Sequence, residues 1–296
     1  MSTPQFGPQE TSQLLPFPPL LAALRQAVQE YAAAHIHCPE RLVVPLPERG
    51  VMLCMPAVAS DLAAHKLVNV CPGNPQRDLP TIQGMVTAYH APTGTPLFTL
   101  DAPTVTARRT AAVSLLGIEE LHGRPRHVSI IGTGGQAHGH MQALKAAYPE
   151  AQVTVVGRTL ERAQAFASSG RIHAAVTVPD DADVIITTTT SKTPVYDELP
   201  RAGRLVVGVG AFTPDAAEIG PQTLQGSQLF VDDPAGARHE AGDFIQAGVD
   251  WASVRSLADA LTTPPGTAIP AVFKSVGCAA WDLAACRVAR ERLAEA

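Results

Sequence analysis

The chain has 296 residues, 46% hydrophobic and 17% charged, with a formal net charge of −5, which describes a soluble globular protein long enough for two domains. The acidic balance, with no Lys/Arg cluster against it, excludes nucleic acid as a partner. No apolar run approaches the roughly 20 residues that span a bilayer, and residues 1–10 lack a basic segment followed by an apolar one, so no membrane partner and a cytoplasmic location are expected.

Residues 1–13 are polar and read as a frayed terminus. Pro18 or Pro19 can open a helix whose stripe is Leu20, Leu21, Leu24, Val28 and Tyr31, and Pro39 marks its end. Leu42–Val44, Val51–Met55, Leu67–Val70, Gly84–His90 and Pro96–Leu100 follow as strands, with turns at Pro47–Gly50 and Pro92–Gly94 and a loop at Pro72–Pro80. This run predicts an antiparallel sheet. From Thr104 to about Leu121 the pattern is helical, and His122–Arg126 is a short polar bridge.

Beyond it the rhythm changes to strand 128–131, helix 136–147, strand 153–156, helix 160–168, then strands 173–176, 184–188, 204–209 and 229–231. Strands alternating with helices predict a doubly wound parallel sheet, and near-continuous apolar strands such as Val153–Val156 suit burial on both faces. Helices are expected at Pro234–Ala247 and Ser256–Leu261, a loop at Thr262–Pro270, and one long helix over Phe273–Glu295.

The first strand of this region runs into Gly132-Thr-Gly134-Gly135-Gln136-Ala137, a Gly-x-Gly-x-x-Ala turn of the kind that opens a dinucleotide-binding fold. The first glycine permits the tight turn and the second lets backbone approach a pyrophosphate. The small Ala137 lets the helix pack close, and the helix N-terminus offers unpaired N–H groups to the phosphates. The strand 153–156 ends in Gly157-Arg158-Thr159, where an NAD-specific site usually carries an acid for the ribose 2′-hydroxyl. Arg158 and Thr159 suit a 2′-phosphate instead, so NADPH is expected, with NADH as the alternative. Thr187, Thr189 and Val209 lie at carboxyl ends of sheet strands, where ligands bind in open α/β sheets, and are assigned to cofactor contact.

The cysteines, Cys38, Cys54, Cys71, Cys278 and Cys286, are odd in number and lack C-x-x-C spacing, so buried free thiols are expected. The pairs His35/His37 and His138/His140 do not share a helix face. No metal site is assigned.

Several segments together resemble the ornithine cyclodeaminase/mu-crystallin family: Arg41-Leu-Val-Val-Pro45, Met55-Pro56, Lys66-Leu-Val68, Pro80-Thr81, the Ala107–Ser114 segment with its Arg-Arg-Thr-Ala-Ala, the glycine turn Ile131–Ala137, Gly157-Arg-Thr159 and Val272–Gly277. The resemblance covers almost the whole chain beyond residue 13. It implies a Rossmann-type NAD(P)-binding domain over 122–271. A discontinuous α+β domain for substrate binding and dimerisation is implied over 1–121 plus 272–296, so a homodimer is expected. It places Arg41, Lys66 and Arg109 around a substrate carboxylate with Thr81 nearby. Arginine forks can grip a carboxylate bidentately, and a lysine supplies a compact charge with a shiftable pKa. Lys66 and Thr81 are the catalytic candidates, Lys66 to hold a proton at an imine nitrogen.

One departure narrows the reaction. Cyclodeaminases of this family carry an acid in a Gly-Gly-Asp-Cys-Pro-Gly segment, where this chain has Phe212 within Gly208–Glu218. Phenylalanine can neither activate water nor bind an amine, and Asp215 stands three residues away. The resemblance therefore implies the ketimine-reductase branch: NAD(P)H-dependent reduction of a small cyclic imino acid, Δ1-pyrroline-2-carboxylate to L-proline or Δ1-piperideine-2-carboxylate to L-pipecolate. An ornithine cyclodeaminase, an alanine dehydrogenase and a non-catalytic, crystallin-like NADP(H) binder are the alternatives.

Overall fold

The computed structural model describes residues 3–168, 172–266 and 269–295. The chain forms two compact units, one running to Arg109 and resuming at Cys278, the other spanning Thr110–Gly277.

The first unit begins with β1 (Gln5–Phe6), α1 (Pro8–Leu14) and α2 (Phe17–Ala32), followed by β2 (Leu42–Pro45), β3 (Val51–Val58), β4 (Leu62–Val70), β5 (Ile82–His90) and β6 (Pro96–Asp101). They build one sheet in the order β1-β6-β5-β4-β3-β2. Strands β2 to β6 pair antiparallel, and β1 lies parallel to β6. Alternation along β3 and β4 sends Leu53, Met55 and Ala57, and then Leu62, Ala64, Lys66 and Val68, to one buried face. Lys66 is the charged member of that apolar series.

The expectation of a frayed terminus is corrected over residues 3–13, while Met1 and Ser2 lie outside the described residues. Glu10 reaches back to accept the Gly7 N–H at 2.8 Å, which satisfies an orphan donor at the start of α1. Buried Thr11 ties the helix down, donating to the Phe6 carbonyl and accepting the Asp101 N–H at 3.1 Å.

Helix α3 (Ala102–Leu121) carries the chain into the second unit, where β7 (His127–Ile131), α4 (Gly135–Ala147), β8 (Gln152–Val156), α5 (Leu160–Ala167) and β9 (His173–Ala175) wind one way. The other half comprises β10 (Val184–Thr187), β11 (Leu205–Gly208), α6 (Pro221–Leu224), β12 (Gln228–Val231), α7 (Pro234–Glu240), α8 (Gly242–Ala247), β13 (Arg255–Ser256), α9 (Leu257–Thr262) and β14 (Ala271–Lys274). The sheet is parallel throughout, in the order β13-β12-β14-β11-β10-β7-β8-β9. This is a Rossmann-type doubly wound sheet. The chain leaves β7 toward β8 and returns on its other side at β10, so the topological switch falls between β7 and β10, where such folds open a ligand crevice.

Three expectations are corrected here. Phe273–Glu295 is not one helix: β14 pairs with both β11 and β12, and α10 (Ala279–Ala294) follows after a break. Asp232 enforces the break by accepting the Ser275 hydroxyl and the Val276 and Gly277 N–H groups, each at 2.9 Å. Pro234–Ala247 is two helices, interrupted at Ala241, which sits at φ −77° and ψ 76°. The unit boundaries also differ from those expected at 121/122 and 271/272. The second half of α3 belongs with the parallel sheet because Gly117 admits the Phe273 ring, which a Cβ would meet at 2.5 Å. The loop expected over Thr262–Pro270 follows α9 directly, and its Thr267 and Ala268 lie outside the described residues. In the first unit α10 packs on β3, β4 and α2, with Trp281 edge-on to Tyr31 at 5.9 Å between centroids.

Candidate functional site

In the second unit the glycine turn follows β7 at the switch point. Gly132 lies at φ +122°, a conformation that L side chains rarely adopt, and a Cβ there would sit 2.6 Å from Thr188 Oγ1 and 3.0 Å from its carbonyl oxygen. Thr188 in turn donates its hydroxyl to the Ile131 carbonyl at 3.1 Å, so β7 and the loop after β10 are locked together. Gly134 caps α4, and a Cβ on Gly134 or Gly135 would point into open space. Ala137 is fully buried against the sheet side of the helix. Gln136 presents a buried Oε1 that makes no hydrogen bond among the described residues. Open space beside Gly134 and Gly135, at the first turn of a helix, suits the close approach of a dinucleotide pyrophosphate.

The first turn of α4 is braced from behind. His140 is buried and its pKa is pushed down to about 4, chiefly by burial, with the Gln136 carbonyl opposing. The ring is therefore neutral at pH 7, donating from Nδ1 to the Gln136 carbonyl at 2.7 Å and accepting the Ser114 hydroxyl at Nε2 at 2.9 Å. His138 stacks on Phe166 at 4.2 Å. Both histidines thus have packing roles, and among the described residues no His, Cys, Asp and Glu cluster could hold a metal ion. All five cysteines are free, but only Cys278 and Cys286 are buried as expected, while Cys38, Cys54 and Cys71 are partly exposed.

Arg158 and Thr159 are exposed at the end of β8, and the Thr159 hydroxyl accepts the Arg162 N–H as the N-cap of α5. An acid does stand in this corner. Glu161 is held below its usual range by its own backbone N–H and then by the Thr159 side chain, so it is already engaged by the cap. Thr187 is fully buried and gives its hydroxyl to Glu218 at 3.0 Å, which turns that group inward. Thr189 is half-buried, its N–H held by Glu218 and its hydroxyl accepting the Ser191 N–H at 3.2 Å. Val209 is buried, its N–H on the Thr187 carbonyl at 3.0 Å. Phe212 is 43% exposed, and Asp215 is a surface acid paired with Lys192 at 2.6 Å.

The first unit holds the basic cluster. Lys66 Nζ lies 2.7 Å from Asp282 Oδ2, and Arg109 Nε lies 3.2 Å from the other oxygen, with all three side chains nearly inaccessible. Two buried cations therefore share one carboxylate. Burial pushes the Lys66 pKa down to about 8, Asp282 pulls upward, and the charges of Arg109 and Arg41 press it lower again. An incoming carboxylate would relieve that excess positive charge. Thr81 stands apart. It precedes β5, and Ile82 pairs with Val70, four residues along β4 from Lys66, or about 13 Å at strand spacing. Lys66 and Arg109 thus meet at Asp282, Lys66 feels the charge of Arg41, and Thr81 lies farther along the sheet.

Asp282 was not singled out from the sequence, although it carried a signal. It is the sole charge within Ala279–Cys286, on a helix stretch buried on every side, and a charge in such a stretch needs a partner. Cys286, one turn further on, has its thiol pushed up by burial and by Asp282, so it is inert. Glu218, Asp243 and Lys274, all nearly or fully inaccessible, also escaped notice.

A Δ1-pyrroline-2-carboxylate/Δ1-piperideine-2-carboxylate reductase from Azospirillum brasilense is 59% identical over 299 residues, covering 98% of this chain and 96% of that one. Δ1-Pyrroline-2-carboxylate reductase 1 from Burkholderia multivorans is 56% identical, covering 99% and 96%. The structure of Thermococcus litoralis Δ1-pyrroline-2-carboxylate reductase in complex with NADH and L-proline shares the fold, with a TM-score of 0.90 at 23% identity, covering 99% of this chain and 98% of that chain. The ornithine cyclodeaminase/mu-crystallin family model matches residues 9–296, and with relatives this similar along nearly its whole length the chain belongs to that family.

Proposed function

We propose that this protein reduces Δ1-pyrroline-2-carboxylate to L-proline, and Δ1-piperideine-2-carboxylate to L-pipecolate, using NADPH. The observation that carries the reading is the pair of buried cations, Lys66 and Arg109, sharing the single carboxylate of Asp282. A planar substrate carboxylate completes the charge balance there, with Arg109 and Arg41 as its clamp. Lys66, its pKa near 8, carries a proton at neutral pH and releases it readily to an imine nitrogen. When bound, the reduced nicotinamide supplies the hydride. The glycine turn and the first turn of α4 hold its pyrophosphate, and Arg158 holds the 2′-phosphate. Thr81, at its distance along β4 from Lys66, takes no part in the proton transfer. Phe212 favours a substrate without a charged side chain.

The test follows absorbance at the reduced-nicotinamide band with NADPH and Δ1-pyrroline-2-carboxylate. Consumption of NADPH is expected; ammonia release from ornithine without it would sink the proposal. In the same assay Arg158→Ala should raise the KM for NADPH about tenfold, the worth of one charge-assisted hydrogen bond, and leave that for NADH nearly unchanged. An equal rise for both would remove Arg158 from the 2′-phosphate.

The homodimer belongs to the same proposal. Edge strand β2 exposes Leu42 and Val43 at 61% and 52%, an apolar strand edge of the kind that pairs with another chain. Sedimentation should give twice the chain mass, and Val43→Lys should shift the population toward monomer. A wild-type monomer at micromolar concentration would overturn this part.

A further inference from the structure

The crevice at the switch point is bordered by two loops, one leaving β10 and one leaving β11. Both are tied to one side chain that is itself wholly buried. Glu218 accepts the Thr187 hydroxyl at 3.0 Å, the Gly210 N–H at 2.6 Å, the Ala211 N–H at 3.1 Å and, on its other oxygen, the Thr189 N–H. The loops touch here, since a Cβ on Gly210 would lie 2.0 Å from the Thr189 carbonyl oxygen. Thr188, between two of the tied residues, is the group that meets Gly132 and bonds to Ile131. Glu218 is thus connected through one loop to the glycine turn.

Glu218 is held in its turn. Its N–H and that of Ile219 go to Asp243 Oδ1, while Asp243 Oδ2 pairs with Lys274 Nζ at 2.6 Å, both fully buried. Placing a carboxyl group under two loops costs desolvation that apolar packing would avoid. What it returns is geometric: four donors converging on one rigid group set the spacing of the Thr189 and Gly210–Ala211 backbones more closely than loop packing can.

We infer that Glu218 is a positioning residue for the nicotinamide half of the cofactor, acting through the loops after β10 and β11 and not by contact. The inference rests on the proposed NADPH dependence. The adenosine ribose is served by Arg158 at the end of β8, two strands from β10 in the sheet order β11-β10-β7-β8, and the glycine turn between them is the part that the two halves of the cofactor share.

The experiment measures binding of NADPH and of adenosine bisphosphate, which carries the cofactor's adenosine phosphates without its nicotinamide, to wild type, Glu218→Gln and Thr187→Val. Glu218→Gln turns an amide N–H2 toward a backbone N–H and should weaken NADPH about tenfold, and Thr187→Val about threefold, the worth of one or two hydrogen bonds. Adenosine bisphosphate should bind all three within about twofold, as expected for a site keeping its own hydrogen bonds. Equal loss of both ligands, or no loss of NADPH, overturns the inference. If Glu218→Gln does not fold, the ratio measured on Thr187→Val decides alone. Wild type binding neither ligand would instead defeat the NADPH proposal itself, so the two failures are distinguishable.

Discussion

Replacing Lys66 by methionine is expected to cut turnover of Δ1-pyrroline-2-carboxylate by two to three orders of magnitude, roughly the worth of a positioned general acid, while the NADPH dissociation constant stays nearly unchanged. Methionine fills the volume on the buried face of β4 without a charge, and Arg109 keeps Asp282 partnered. The pH dependence has a definite sign. Lys66 falls from its ordinary 10.5 to about 8, so the ammonium form predominates below pH 8. The wild-type kcat/KM should therefore decline as pH rises through that value. Stability runs the other way. Between about 8 and 10.5 the unfolded chain binds a proton at this lysine that the fold does not, so unfolding free energy rises with pH across the window. Both the kinetic limb and this slope should vanish in Lys66→Met. Survival of the kinetic limb would assign it to another group.

Asp282→Ala should be the most destabilising single change in the first unit, by about 3–5 kcal/mol, because it strands two buried cations without their carboxylate. Each unit carries one tryptophan, Trp251 in the second and Trp281 in the first. In a Trp251→Phe background, urea unfolding followed by Trp281 emission reports on the affected unit. Asp282→Asn preserves shape and separates charge from packing. Since Asp282 raises the Lys66 pKa, its loss should move the descending limb of kcat/KM to lower pH. A limb that stays in place would show that Asp282 does not set the Lys66 charge, whatever its effect on folding.

The sites differ in how far they could be read in advance. The glycine turn, Ala137 and Arg158-Thr159 are local: neighbours along the chain form each of them, so their spacing alone suggests a dinucleotide cradle. Lys66 and Arg109 were recognisable by resemblance, but their shared partner was not. Asp282 lies 173 residues from Arg109, on a helix that the sequence pattern had fused with a strand. The apolar composition of Val272-Phe273 suits either element, and only pairing with β11 and β12 decides for the strand. Thr187 looked like a strand-end ligand because its residue type and position fit. Its direction depended on Glu218, in a different segment.

By itself the sequence determined the class of fold and the order of its elements apart from the segments at 1–13, 221–224, 234–247, 255–256 and 273–295, and it marked the glycine turn and the cationic residues. These rest on periodicity and short spacing, which the chain expresses wherever it is read. The tertiary structure alone decided which carboxylate the cations share, which hydroxyl faces inward, where the units divide and what braces the crevice loops. Each of these is a pairing between buried polar groups far apart in sequence. Burial makes such a pairing obligatory without naming the partner, and only the folded chain supplies one.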